Sequence, residues 1–386
     1  MDLEHLLNQR VKNIEISGIR KFFNMVSDMD NLISFTIGQP DFPTPLHIKD
    51  AGIKAIQSDF TSYTHNAGTA ELRQAASNFV ARKYNLHYQP ESEVIVTTGA
   101  SEAIDIAFRT ILSEDCEVIL PGPIYPGYEP IITMMGAVPI HVDTRQNHFR
   151  LTLELIKPFI TDKTRCIVLP YPSNPTGVSL SKEELKEIAA YLQGRNIFLL
   201  ADEIYSELTF DRPHHSIGSF LKEQTIVING LSKSHSMTGW RIGFLFAPEN
   251  VAKHILKVHQ YNVSCANSIA QKAAYEALTT GFSDAESMRN EYAARREYVY
   301  NRLQSMKLET VKPDGAFYFF VKIPNEIPLN SFDFALDLVK QTKVAVVPGS
   351  AFSPYGEGYF RLSFACSRET LTEGLDRIEQ YLQNKN

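Results

Sequence analysis

Cysteine is scarce in this sequence, with four residues among 386. They stand far apart, at Cys116, Cys166, Cys265 and Cys366, so the closely spaced pairs of a zinc site or a redox-active dithiol are missing. Long apolar runs are missing too, since none approaches the roughly 20 residues that span a bilayer. The first residues, MDLEHLLNQR, include acids and lack the apolar core of a signal peptide. We therefore expect a cytoplasmic protein of a reducing compartment, with no bound metal and no membrane anchor.

An excess of charge of one sign is also missing. The 38 basic and 44 acidic residues leave a net charge of −6, and no block of like charges suggests a tail that binds nucleic acid. Hydrophobic residues make up 44% of the chain and charged residues 21%, which is ordinary for a globular protein. A chain of 386 residues predicts roughly two to three domains. Small molecules, rather than a polyanion, are the expected partners.

The stretch Thr225–Gly243, TIVINGLSKSHSMTGWRIG, contains the strongest chemical signal. A β-branched run there ends in a Gly-Leu-Ser loop that presents Lys233. A lysine whose pKa is lowered by desolvation or by nearby cations becomes an amine nucleophile. Ser232 and Arg241 add a hydroxyl group and a fork of N–H donors, which suit a phosphate dianion. A surface lysine in an ordinary loop is the competing interpretation. A nucleotide phosphate loop is excluded, because it needs glycine where Ser232 stands.

Residues Gly230–Gly243 resemble, position by position, the lysine-site signature of the class I and II pyridoxal-phosphate aminotransferases. The resemblance implies that Lys233 carries the cofactor and that Arg241 holds its phosphate. It covers about residues 30 to 370 and implies a fold-type I α/β architecture, with a large domain, a smaller α/β domain and a site between them. We expect residues 1–44 to be an N-terminal segment of the small domain. Residues 45–280 would form the large cofactor-binding domain, and residues 281–386 a connecting helix and the small domain.

Short β-branched runs alternate with helical stretches from Glu93 onward, which indicates a mostly parallel sheet covered on both faces. We predict seven strands for it, over residues 93–98, 117–120, 138–142, 165–170, 197–201, 225–229 and 241–247. An amphipathic helix over 14–29, interrupted at Ser17-Gly18, and a strand over 32–37 precede them. An exposed connecting helix over 282–306 follows. The remaining predictions are strands over 316–321, 344–347 and 359–364 and a helix over 332–341.

Ligands of such sheets bind beyond the carboxyl ends of the strands, so the residues that follow each strand are candidates for a site. Ala100 and Ser101 open a helix whose N-terminus can bind an anion. Tyr125 would lie over a planar aromatic ligand. Asp202 could pair with a pyridinium nitrogen, and Tyr205 could reach an oxygen on the same ring. Each alone has a structural alternative, a helix cap for the Gly-Ala-Ser loop and for Asp202, but their placement at successive strand ends favours one site.

The resemblance gives these positions roles. It implies that Asp202 holds the ring nitrogen of pyridoxal phosphate protonated and that Asn174, in an Asn-Pro-Thr-Gly loop, and Tyr205 contact the phenolic oxygen. The phosphate would be held by Ser101, Ser232, Arg241 and by Tyr63 of a second subunit. A homodimer with shared sites is therefore expected, although a buried core tyrosine is the alternative for Tyr63.

Substrate contacts are also implied by the resemblance. Gly38, in a Gly-x-Pro-Asp-Phe segment, would lie against the substrate carboxylate together with Asn174. Arg361 would bind the α-carboxylate through a bidentate fork, and a salt bridge to Glu357 is the alternative. Lys233 would act as general base and then general acid.

The substrates implied are an amino acid and a 2-oxo acid. Within the family, the whole chain, including the run ISGIRKF, resembles the group that acts on N-acetyl-L,L-diaminopimelate in lysine biosynthesis, with glutamate as donor. Arg20 is the candidate for a contact with the distal carboxylate. A broad-specificity aspartate or aromatic aminotransferase and a cystathionine β-lyase, which share the fold, remain alternatives.

Overall fold

The computed structural model describes residues 3–27 and 29–385. Its helices are α1 (Gln9–Lys12), α2 (Gly18–Val26), α3 (Leu46–Gln57), α4 (Ala70–Tyr84), α5 (Gly99–Ile111), α6 (Glu129–Met134), α7 (Leu153–Ile156), α8 (Lys182–Leu192), α9 (Leu231–Ser234), α10 (Glu249–Val263), α11 (Ser268–Leu278), α12 (Ala285–Ser305), α13 (Ser331–Thr342) and α14 (Arg368–Lys385). Its strands are β1 (Ile33–Ser34), β2 (Val94–Thr97), β3 (Glu117–Gly122), β4 (Val138–Asp143), β5 (Thr164–Leu169), β6 (Phe198–Asp202), β7 (Thr225–Gly230), β8 (Gly243–Phe246), β9 (Tyr318–Lys322), β10 (Val344–Ala345), β11 (Val347–Pro348) and β12 (Tyr359–Ser363). Within these residues, no helix combines the length and the apolar character that crossing a membrane requires.

A seven-stranded sheet forms the centre of the fold, in the order β2-β8-β7-β6-β5-β3-β4. All its neighbours are parallel except β8, which runs antiparallel to both β2 and β7. Alternate side chains enter different cores: in β7, Val227 joins one buried cluster, whereas Ile226 and Ile228 join another on the opposite face. The predicted α/β class and mostly parallel sheet are confirmed, and each of the seven predicted strands has a counterpart in this sheet.

The last predicted strand of that sheet was placed to start at residue 241, and this start is wrong. β8 begins at Gly243, and Arg241 has a φ of 54°, in the left-handed region that no β-strand uses. The backbone therefore turns at Arg241 before the strand begins. This turn directs the Arg241 side chain toward the cavity described below.

A second core surrounds a three-stranded antiparallel sheet in the order β11-β12-β9. Phe22 and Val26 of α2 belong to this core, and β1 pairs in parallel with β10. The N-terminal helix is shorter than predicted, because it starts at Gly18, where the Ser17 hydroxyl accepts a hydrogen bond from the backbone N–H of Arg20. The predicted strand over 344–347 is split into the short strands β10 and β11.

The predicted connecting helix is present as α12, but its expected exposure is wrong. One face of the helix is buried in the second core, with Tyr292, Val299 and Leu303 fully enclosed. The sequence did not indicate this buried face, because the segment is highly charged and two of its charged residues, Arg295 and Arg296, are themselves buried. These two arginines are paired with Asp41 and Asp211. The division into residues 1–44, 45–280 and 281–386 stays a prediction.

Candidate active site

A cavity of about 470 Å³ lies at the carboxyl ends of the central strands, beside β12 of the second core. Its size is in the range of pockets that bind small molecules. Most of the side chains predicted from strand ends line it together. They are Gly38, Ala100, Ser101, Tyr125, Asn174, Asp202, Tyr205, Ser232, Lys233, Arg241 and Arg361.

Lys233 extends into this cavity from α9, the short helix that directly follows β7. Its Nζ donates a hydrogen bond to the backbone oxygen of Gly38 at 2.5 Å. Burial, reinforced by the charges of Arg361 and Arg241 and opposed by Asp202, lowers the pKa of Lys233 to about 8. About one-tenth of such an amine is unprotonated at pH 7. Lys233 lines the cavity and does not stand on an open surface, and a lowered pKa is what a nucleophilic amine needs; its role as the nucleophile stays a prediction.

Asp202 is the last residue of β6, and its carboxylate is buried at the cavity wall. The hydroxyl group of Tyr128 donates to Asp202 Oδ2 at 2.6 Å, and the backbone N–H of Ile204 donates to Oδ1 at 3.2 Å. Burial raises the pKa of Asp202, while these two donors counteract the rise. Asp202 is therefore an acid held in one orientation, and Tyr128 is a partner that the sequence analysis missed. The only signal for Tyr128 was its position three residues after Tyr125, in the same loop.

One end of the cavity combines a helix N-terminus with a guanidinium group. Gly99 starts α5 with a φ of 78°, and Ala100 and Ser101 follow it at the cavity wall. A Cβ atom at Gly99 would lie 2.6 Å from Arg241 Nη2, so a side chain there would force this guanidinium to move. Arg241 Nη1 donates to the backbone oxygen of Thr238 at 3.0 Å. Backbone N–H groups and a guanidinium that converge in this way form an anion site.

Arg361, in β12, lines the same cavity and is only 2% exposed. Its Nη1 donates to Asn174 Oδ1 at 2.9 Å, and its Nη2 donates to the backbone oxygen of Thr36 at 2.7 Å. Its Nε is buried and has no hydrogen-bond partner among residues 3–27 and 29–385. The alternative of a salt bridge with Glu357 is wrong, because that carboxylate accepts hydrogen bonds from the backbone and side chain of Ser331.

Tyr205 is coupled to a second tyrosine that the sequence analysis also missed. The hydroxyl groups of Tyr205 and Tyr318 are 2.8 Å apart, and the Arg361 guanidinium lies 4.3 Å from the centre of the Tyr318 ring. Burial raises the pKa of both phenols, so both are protonated donors at neutral pH. Tyr318 lies inside a predicted strand, where an aromatic residue is more typical of a core.

The charges of the cavity are not balanced within the chain. Its lining contains three cations, Lys233, Arg241 and Arg361, and one carboxylate, Asp202. Among the described side chains, no carboxylate forms a salt bridge with any of these three cations. Arg361 is a buried charge, which needs a counterion, and Arg241 is exposed at the cavity wall. The excess of positive charge therefore favours a ligand with negative groups.

Two predicted residues do not line the cavity of this single chain. Tyr63 lies in the loop between α3 and α4 and is 86% exposed, which contradicts the alternative of a buried core tyrosine. Arg20 is exposed on α2, although its neighbour Ile19 does line the cavity. The roles of Tyr63 and Arg20 stay predictions.

Comparisons with known proteins agree with this geometry. The family model described as aminotransferase class I and II matches residues 30–378. A Bacillus subtilis protein named probable N-acetyl-LL-diaminopimelate aminotransferase is 64% identical over 99% of this chain and 97% of its own length. Aromatic-amino-acid aminotransferase 2 of Thermococcus litoralis is 38% identical over 98% of this chain and 99% of its own. The structure of Thermus thermophilus aspartate aminotransferase with maleate has a TM-score of 0.92 and 33% identity, and the match covers 97% of this chain and 99% of that one.

Proposed function

The chain belongs to the class I and II aminotransferases, and from this premise we propose that its cavity binds pyridoxal phosphate at Lys233 and transfers an amino group from glutamate to a 2-oxo acid. The observation that carries the proposal is the convergence of three groups in one cavity. They are a buried amine with a pKa of about 8, a carboxylate held by Tyr128, and a guanidinium without a carboxylate partner at a helix N-terminus.

The residues present fit this cofactor. Arg241, Ser101, Ser232 and the first N–H groups of α5 would hold its phosphate, because the guanidinium and the helix N-terminus meet at Gly99. Asp202 would accept a hydrogen bond from the protonated ring nitrogen. Asn174 and Tyr205 would hydrogen-bond to the phenolic oxygen, and Tyr125 would lie over the ring. Pyridoxal phosphate bound there supplies an electron sink that stabilises negative charge at the substrate's α-carbon.

The protein's own task is to place the substrate and move one proton. Arg361 would bind the substrate α-carboxylate, since its unpartnered Nε and its Nη groups offer a bidentate fork at the cavity wall. Gly38 lines the same cavity, and its backbone oxygen accepts a hydrogen bond from Lys233 Nζ. Lys233 Nζ would remove the proton from the substrate's α-carbon as a general base and return a proton as a general acid.

The acceptor that we propose is the N-acetylated 2-amino-6-oxo diacid related to N-acetyl-L,L-diaminopimelate. The name of the relative with 64% identity supports this choice. The chemistry is consistent, because acylation of the distal amine prevents it from attacking the 6-oxo group and closing a ring. Arg20 would contact the distal carboxylate, and its neighbour Ile19 is at the cavity wall. An aspartate or aromatic aminotransferase is the second candidate, supported by relatives so named at 38% identity.

We also propose a homodimer in which Tyr63 reaches the phosphate of the second subunit. Large apolar side chains stand exposed on neighbouring elements: Ile53 and Ile56 on α3, Tyr261 on α10 and Tyr275 on α11, which packs against α3. Exposed apolar surface of this kind is typical of an interface between proteins. Tyr63, in the loop that follows α3, would then be covered by the second copy.

Purified enzyme with glutamate as donor and a panel of acceptors tests the proposed reaction. The panel contains N-acetyl-2-amino-6-oxopimelate, its N-succinyl analogue, oxaloacetate and phenylpyruvate, and formation of 2-oxoglutarate is measured. We expect the acetylated acceptor to have the highest kcat/KM. An advantage of tenfold or more for oxaloacetate or phenylpyruvate, about 1.4 kcal/mol in transition-state preference, would replace the proposed substrate by that of the second candidate. Absence of 2-oxoglutarate with every acceptor would leave the lyase reaction as the alternative to test with cystathionine.

A further inference from the structure

His259, on α10, is completely buried and joins two segments next to the candidate phosphate site. Its Nδ1 lies 2.7 Å from Glu102 Oε1, and its Nε2 lies 2.9 Å from the backbone oxygen of Asn66. Glu102 belongs to the first turn of α5, directly after Ala100 and Ser101. Asn66 belongs to the loop that carries Tyr63. His259 therefore contacts both chain segments from which phosphate contacts are expected.

The hydrogen bonds determine the charge of this pair. A backbone oxygen only accepts hydrogen bonds, so Nε2 of His259 carries a hydrogen. The other oxygen of Glu102 accepts a hydrogen bond from the backbone N–H of Thr98 at 2.5 Å. A second proton must then lie between Nδ1 and Oε1, because a lone pair on Nδ1 would otherwise face the carboxylate. Wherever that proton resides, Glu102 and His259 together have no net charge.

This neutrality matters at the first turn of α5. An acidic side chain near a helix N-terminus competes with an external anion for the positive end of the helix dipole. Without its partner, the Glu102 carboxylate would stand one residue from Ser101 and repel a phosphate dianion. The same carboxylate nevertheless orients the backbone of Thr98, which leads into Gly99 and Ala100. A histidine that cancels the charge preserves the orientation and removes the repulsion.

We propose that His259 is a positioning residue for the cofactor phosphate: it neutralises Glu102, so that the turn from Thr98 to Ser101 accepts a dianion. This inference rests on the proposed function, since the phosphate is that of pyridoxal phosphate. The contact of His259 with Asn66 also fixes the loop of Tyr63, which is held from the other side by a hydrogen bond from Asn66 Nδ2 to the backbone oxygen of Ser264 at 2.7 Å.

Binding of pyridoxal phosphate and of pyridoxal, which lacks the phosphate, to the apoenzyme tests this role. Equilibrium dissociation constants are measured by absorbance for the wild type, His259→Gln, His259→Asn and the double variant His259→Gln/Glu102→Gln. We expect both single variants to bind pyridoxal phosphate at least tenfold more weakly and pyridoxal within twofold of the wild type. Asparagine keeps a donor toward Glu102 but has no charge, so an equal loss in both variants assigns the effect to charge. The double variant removes the carboxylate and is expected to recover affinity for pyridoxal phosphate to within threefold.

His141→Gln is the matched control. His141 forms a similar pair with Glu129, at 3.0 Å, but Glu129 belongs to α6 and not to the first turn of α5, and we expect both dissociation constants to be unchanged. Equal losses for pyridoxal phosphate and pyridoxal, or no recovery in the double variant, would overturn the proposal. Should the histidine variants not fold, Glu102→Gln alone decides. A tenfold loss of affinity for pyridoxal phosphate in that variant would overturn the proposal, because it would show that the carboxylate charge is needed. A wild type that binds pyridoxal as tightly as pyridoxal phosphate would instead refute the phosphate site and, with it, the proposed function.

Discussion

Replacing Tyr128 with phenylalanine removes one hydroxyl group from the candidate site and keeps the ring. Tyr128 and Asp202 are both buried, and the Tyr128 hydroxyl donates a hydrogen bond to Asp202 Oδ2 at 2.6 Å. A hydrogen bond to a charged group is worth about 1.5–3 kcal/mol. Losing it raises the pKa of Asp202 further, because the donor stabilises the ionised carboxylate and burial already opposes ionisation. Less Asp202 would then be ionised at neutral pH to pair with the ring nitrogen of the cofactor.

The expected result is a fall in kcat/KM for glutamate of roughly 10- to 150-fold at pH 7, which is the same free energy expressed as a rate. The loss should shrink as the pH rises, because a carboxyl group with a higher pKa ionises at higher pH. The measurement is kcat/KM from pH 6 to 9, together with the melting temperature of each protein. The pH dependence separates an effect on Asp202 from general damage to the fold.

Tyr171→Phe is the matched control for this experiment. Tyr171 is a buried tyrosine whose hydroxyl accepts a hydrogen bond from the backbone N–H of Leu151 at 2.9 Å, and it does not line the cavity. We expect this variant to lose some thermal stability and to keep the pH profile of the wild type. If Tyr128→Phe also keeps that profile and loses less than twofold in kcat/KM, Tyr128 only fills space and the reasoning fails.

Four further predictions concern the charged groups of the cavity and the second subunit. The rate at which the apoenzyme captures pyridoxal phosphate should rise with pH and level off above about 8, the pKa of Lys233, since only the free amine attacks. The variant Lys233→Ala should form no borohydride-stable linkage and show no transamination. Arg361→Lys should lower kcat/KM for glutamate about 100-fold or more, because an ammonium group cannot bind a carboxylate as a fork, and a comparable loss of cofactor affinity would contradict this. Apo Asp202→Asn should melt at a higher temperature than the apo wild type at pH 7. Burial raises the folded-state pKa of Asp202 above its unfolded value of roughly 3.9. The cost of burying the ionised carboxylate is therefore present above the folded-state pKa, and it disappears as the pH falls to the unfolded-state pKa. Mixing Lys233→Ala subunits with Tyr63→Ala subunits should restore activity above that of either variant alone, because one hybrid site takes Lys233 and Arg361 from one chain and an intact Tyr63 from the other. A heterodimer that forms but gains no activity would place Tyr63 in its own chain's site.

The sequence predicted residues whose role follows from their place in the chain. Asp202 and Lys233 follow strands β6 and β7, and the rule that ligands bind at the carboxyl ends of parallel strands brings them together without any knowledge of side-chain contacts. Their partners were not predictable in that way. Tyr128 meets Asp202 across 74 positions and Tyr318 meets Tyr205 across 113. Neither stands in a motif that specifies the contact.

Local conformation set the other limit. The residues before Gly243 continue the apolar pattern of a strand, but the backbone reverses at Arg241, where φ is positive. The burial of one face of α12 was hidden for a different reason. Its buried arginines have acidic partners far away in the chain, Asp41 for Arg295 and Asp211 for Arg296, and charge alone indicates exposure. Such pairings arise from tertiary packing, which the periodicity of one segment does not contain.

The hydrogen bond from Arg361 to the backbone oxygen of Thr36 spans 325 positions of the chain. During synthesis the groups expected to bind the cofactor, from Ser101 to Arg241, leave the ribosome together, well before Arg361. Chains generally fold domain by domain as they emerge. We therefore expect the cofactor side of the cavity to form first, and the side that recognises the substrate to form only when Arg361 meets the segment around Thr36, which is made at the start. Residues from 361 onward therefore supply both the expected substrate anchor, Arg361, and a large part of the second core, through β12 and α14.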